Sequence, residues 1–157
     1  MNPEALQKYR QHMESMIEQH GWMVQAVFPT QDDPDHVSFQ YTIGLHDKGL
    51  PELLAFGLPG ETGMTLLNDV ANYLLELKET GREFVGRVEH ERWPMPFYIL
   101  RAETEKANEY ATGAWNRSQG QASFLQVVWP DRHSRFPWHP AFEKEFVDVQ
   151  PLVGKPE

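Results

Sequence analysis

Apolar residues in this chain recur first at helical spacing and then mostly in short, strand-like runs. Leu6, Tyr9, Met13, Met16 and Ile17 fall on one stripe of a helix. Asn2-Pro3 opens it, because Asn can accept a free N–H and proline is preset for the first helical position. Gly21, after His20, supplies the left-handed stop. Residues 22–28 are β-rich and run into Pro29. Residues 30–36 hold three Asp and a Pro, which predicts a solvated turn. From 37 to 43 the pattern alternates, with Val37, Phe39, Tyr41 and Ile43 on one side and Ser38, Gln40 and Thr42 on the other.

Residues 52–58 are almost continuously apolar, which predicts a strand buried on both faces. From about Thr62 to Lys78 a second helix buries Met64, Leu67, Val70, Ala71, Leu74 and Leu77, and Gly81 ends it. Strands follow at 82–89 and 96–102, split by a turn around Arg92-Trp93-Pro94. Thr104 caps a third helix running towards Trp115, with Gly113 weakening its last turn. Residues 122–129 form a sixth strand. The remainder, 130–157, carries five prolines and reads as ordered loop with one helical turn near 142–146. Strands in direct succession favour antiparallel pairing. The expected fold is α+β: a mixed, mainly antiparallel sheet of about six strands with three helices packed on it, in one domain over 1–157.

Composition narrows the function classes. The chain has 0 Cys, which removes disulfides, thiolate metal sites and cysteine nucleophiles. With 14 basic and 23 acidic residues its net charge is −9, which disfavours binding to phosphate backbones. Residues 2–20 show no apolar signal core, and no run approaches the ~20 residues that cross a bilayer. A cytoplasmic location without membrane or nucleic-acid partners is expected.

The densest chemistry lies just past the sixth strand. Residues 129–140 hold two Trp, two His, two Arg and one Asp. Asp131 and His133 can form a carboxylate–imidazole pair for acid–base work, and Arg132 and Arg135 can clamp an anion. Equally, Asp131 can accept backbone N–H groups in its own turn, with Arg135 paired to it and Trp129 and Trp138 folded inward. A second group is Tyr41, Thr42, Gly44 and His46, followed by Glu52. Its members join the first only if the two stretches meet in space. The seven histidines (His12, His20, His36, His46, His90, His133, His139) lack metal-ligand spacing, so no metal and no cofactor are expected. No nucleophile elbow or phosphate-binding Gly-rich motif is present; 57–60 reads as a plain β-to-α turn.

Gly21-Trp22, the run 39–45, Pro51-Glu52-Leu53 with 56–59, the run 125–131, Phe136-Pro137-Trp138 and Gln150-Pro151-Leu152 stand in an order that resembles the bacterial domain of unknown function 4262 family. Ser134 occupies a position where that family would favour Gly. The resemblance implies a small bacterial cytoplasmic protein and transfers no catalytic role. Two functions stay open. One is a non-catalytic binding or interaction module for an unknown small molecule or protein. The other is a small-molecule enzyme with a pocket built from the Tyr41–His46 and Trp129–Trp138 segments. The oligomeric state is not legible.

Overall fold

The computed structural model describes residues 2–32 and 37–156; the part of the expected 30–36 turn after Asp32, with His36, lies outside them. Helix α1 spans Pro3–His20, its N-terminus capped by Asn2 Oδ1, which accepts the Ala5 N–H at 2.7 Å, and its end closed by Gly21 in the left-handed conformation. Helix α2 spans Gly60–Thr80 and starts two residues earlier than the apolar stripe predicts, directly behind Pro59. The third expected helix is two: α3, Thr104–Tyr110, and α4, Thr112–Arg117. The break falls at Ala111, whose ψ of 53° leaves the helical region. Gly113 sits inside α4 for a packing reason. A Cβ there would lie 2.8 Å from Tyr41 Oη, and the Gly113 N–H donates to that oxygen at 3.1 Å.

Among the described residues six strands form one sheet: β1 (Met23–Val27), β2 (Phe39–Ile43), β3 (Glu52–Phe56), β4 (Gly86–Val88), β5 (Phe97–Arg101) and β6 (Phe124–Val128). Their order across the sheet is β1-β2-β3-β6-β5-β4, with β3 and β6 parallel and every other pair antiparallel. The fold is α+β, as the succession of strands predicts. The central pair, β3 and β6, is buried at every position, because both faces are covered. On one face Leu53, Ala55, Leu125, Val127 and Ile99 pack under α2. On the other, Phe39, Tyr41, Ile43, Phe56 and Phe124 pack under α1, α3 and α4.

The segment after β6 is tied down by two buried glutamines that act as surrogate peptide groups. Gln126, on β6, donates to Pro151 O at 2.8 Å and accepts from Val153 N at 2.9 Å. Gln150 pairs in both directions with the Trp129 backbone. Strand β4 is far shorter than the strand expected over 82–89; its three residues pair with β5 at the sheet edge. The expected helical turn appears as a 3-10 turn at Lys144–Phe146. Among the described residues no helix is long and apolar enough to cross a membrane.

Candidate functional site

At the start of β3 the β2–β3 ladder stops at Tyr41↔Leu54. Beyond it the Thr42 hydroxyl takes the Leu53 N–H at 2.8 Å and donates to Glu52 Oε1 at 2.8 Å. The Glu52 carboxylate is buried and accepts three more donors: Gly44 N at 2.9 Å, Leu45 N at 3.0 Å and His46 N at 3.4 Å. Gly44 has φ of 116°, the conformation that turns these N–H groups inward and that a side chain would strain. Burial pushes the Glu52 carboxyl above its ordinary value, and the four hydrogen bonds offset that only in part.

Past the end of β6 a second buried carboxylate is filled in the same way. Asp131 Oδ1 accepts the N–H groups of His133 at 2.9 Å and Arg135 at 3.0 Å. Its Oδ2 accepts Arg135 Nε at 3.0 Å and Glu143 N at 3.1 Å. Desolvation opposes ionisation here, but these backbone bonds and the Arg135 guanidinium outweigh it and hold the carboxyl below the usual range. Ser134 closes the turn at φ of 62°, the left-handed region for which glycine is the unstrained residue.

The structure does not bring the two predicted segments together. Glu52 pairs with Phe124 at the start of β6, whereas Trp129 follows its end. The His46 turn and the Trp129 loop are therefore separated by the length of β6, roughly 17 Å at about 3.3 Å per residue. The expected Asp131–His133 acid–base pair is also absent. Asp131 takes the His133 backbone N–H, and the His133 side chain faces solvent. Arg135 is committed to Asp131, and exposed Arg132 to Glu143 and Glu145. Trp129 is buried, its indole N–H donating to Phe56 O at 2.7 Å. Trp138 is exposed, at 38%, and does not fold inward, although it stacks on Phe136 and lies edge-on to Tyr98 at 4.7 Å. Tyr41 and Thr42 belong to the packed interior, and His46 is half-buried.

The carboxyl ends of β1, β3, β4 and β6 all lie at the Trp129 end of the sheet, as their pairing directions require. Loops on this rim leave Phe28, Val147 and Val149 exposed, as is Met64 near the start of α2, which the apolar stripe expected to be buried. Depressions on this rim gather at the β4–β5 connection, which sequence reasoning took for a turn. There His90 Nδ1 accepts the Arg92 N–H at 3.1 Å, and His90 O accepts the Trp93 N–H at 2.9 Å. This tight turn sets the half-buried Trp93 ring against Tyr73 of α2 at 5.9 Å and Phe97 at 5.3 Å. Its indole N–H reaches Asp69 Oδ2 at 3.4 Å. Two open depressions are lined by Trp93. One, of about 380 Å³, lies within the loop against Glu89 and Glu91; the other, of about 520 Å³, lies against α2 between Glu61 and Asp69. The legible signal was a tryptophan held between prolines and charges, Arg92-Trp93-Pro94-Met95-Pro96.

No curated protein and no solved structure matches the chain. The family model described as Domain of unknown function (DUF4262) matches residues 16–143, a span that takes in the whole sheet, the Glu52 turn, the Trp93 recess and the Asp131 turn. With that match over most of its length, the chain belongs to the domain of unknown function 4262 family.

Proposed function

We propose that this chain is a non-catalytic binding module, working as a single cytoplasmic domain without a cofactor, and that its recognition surface is the rim around Trp93. One observation carries the reading: a half-buried tryptophan, fixed by its own turn, walls two open depressions of about 380 and 520 Å³. Tryptophan in such a setting is the residue type that most often anchors recognition. The cysteine-free, acidic composition supports the cytoplasmic placement. The enzyme reading, with Asp131 and His133 as acid–base pair and Arg135 as clamp, draws no support from the geometry. All four acceptor positions of Asp131 are occupied, and Arg135 supplies one of the donors.

A melting-temperature screen over metabolites and peptides tests this, because a ligand of the native state alone raises stability by mass action. Each hit is then followed through the indole N–H resonances of the 15N-labelled chain. The expected result is a ligand that displaces the Trp93 signal, leaves the buried Trp129 signal in place, stays chemically unchanged, and loses its stabilising effect in Trp93→Ala. Hits that act with Trp93 unmoved, or that are turned over, overturn the proposal.

A further inference from the structure

We infer that the Trp93 recess receives arginine or lysine side chains carried on an extended segment of a partner protein. The inference rests on the binding reading above and adds the chemistry of the ligand. Five carboxylates border the Trp93 depressions and the adjoining Tyr73 crevice (Glu61, Asp69, Glu76, Glu89 and Glu91), against one cation, Arg92, among the described residues. Glu89 is neutralised by Arg87 at 2.8 Å, and Asp69 holds the Trp93 indole. Glu61, Glu76 and Glu91 form no ion pair with the described residues. An aromatic face attracts a cation through its quadrupole, and the carboxylates around it add charge of the matching sign.

The form of the recess selects a chain over a small molecule. Compact ligands favour enclosed clefts that bury most of their surface. Here two open depressions share Trp93 and Pro94 as lining residues, one reaching Glu89 and Glu91 and the other reaching Glu61, so a ligand that uses both must lie across Trp93-Pro94 in an extended form. A second copy of this chain does not fit that description, because two molecules of net charge −9 repel. The exposed apolar side chains on the same rim, Met64 of α2 among them, give such a segment apolar surface on which to continue.

The test uses the full 15N-labelled chain and three peptide probes of equal length, in which glycine alternates with arginine, glutamate or serine. The arginine peptide is expected to displace the Trp93 indole N–H first and most, with the Trp138 indole unmoved. Its affinity should fall about fivefold or more in Trp93→Ala, in keeping with the loss of a cation–π contact. A similar loss is expected in the doubly neutralised Glu61→Gln/Glu91→Gln chain, whose changes are on exposed side chains and leave the fold intact, and on moving to about 0.5 M salt. Equal displacement of Trp93 by the serine or glutamate peptide overturns the cationic assignment and leaves the binding reading standing. Arginine-peptide shifts scattered over the surface, with Trp93 unaffected, overturn the assignment as well. The binding reading itself falls by the outcomes of the wider screen, hits that leave Trp93 unmoved or that are turned over.

Discussion

The two ends of the sheet solve one problem with the same device and opposite electrostatics. At the β2–β3 turn, Glu52 gathers a hydroxyl and three backbone N–H groups around a buried carboxylate with no cation among its donors. At the β6 end, Asp131 gathers three backbone N–H groups and the Arg135 guanidinium. Both are fully hydrogen-bonded, yet burial raises the Glu52 pKa while Asp131 is held low. At Glu52 desolvation outweighs the hydroxyl and backbone donors, whereas at Asp131 the backbone N–H groups, together with the Arg135 guanidinium, outweigh it. Neither group retains a free acceptor for a substrate. The lesson is that a buried acid in a loop is first a turn-forming residue, and its availability has to be counted donor by donor.

The largest expected effect comes from deleting the acid without the cation. Glu52→Ala leaves the Thr42 hydroxyl and three buried N–H groups without their acceptor, and should lower stability by about 3 kcal/mol or more in urea unfolding. Asp131→Ala comes next. It should lower the melting temperature and, specifically, release the His133, Arg135 and Glu143 amides to hydrogen exchange while the Gly44 amide stays protected. Loss of protection at both ends in either variant would break the comparison, because it would mean the two turns are one cooperative unit.

Acidity then separates the two. A carboxyl raised in the folded state favours folding fully below its unfolded pKa, about 4.3, and that contribution is lost as pH rises through the folded value. A carboxyl held low contributes fully above about pH 3.9, and the contribution is lost as pH falls through its folded value. The stability cost of Glu52→Gln should therefore shrink as pH rises, and that of Asp131→Asn should shrink as pH falls. Parallel slopes in a pH series of unfolding curves would contradict the assignment.

Two smaller changes sharpen the description of the Asp131 end. Trp138→Ala should cost about 1–2 kcal/mol, between the values for a core ring and a surface residue, since the ring is stacked on Phe136 yet 38% exposed. Ser134→Gly should stabilise by about 0.5 kcal/mol, because relief of the left-handed strain slightly exceeds the extra unfolded-state entropy of glycine. Thermal unfolding reads both.

Most of the fold was legible from periodicity. The apolar stripe of α1, its Asn2 cap and its Gly21 stop appear where the sequence puts them, and the alternation from Val37 to Ile43 does face one core. The unbroken apolar run at 52–58 correctly implied a strand covered on both sides. The misses were local competitions. The strand expected over 82–89 keeps only Gly86–Val88, and the departure of Ala111 from helical geometry split one helix into two. At the candidate site, the turn-forming reading of Asp131 and Arg135 was available from the sequence and is the one realised. The Trp93 recess was hidden because its other wall, Glu61 to Asp69 on α2, is 24 to 32 positions away in the chain.

What the sequence determined by itself was most of the inward-facing positions, Met64 excepted, and the kind of most segments, because those follow from local spacing and from the conformational limits of Gly, Pro, Asn and Asp. What only the tertiary structure decided was direction and neighbourhood. Insertion of β6 between β3 and β5, parallel to β3, sends the 129–138 loop to the far end of the sheet from the His46 turn and places it on one rim with the Trp93 recess. Alternation of side chains is the same for a strand read in either direction, so no local pattern can say which end of the sheet a loop will reach.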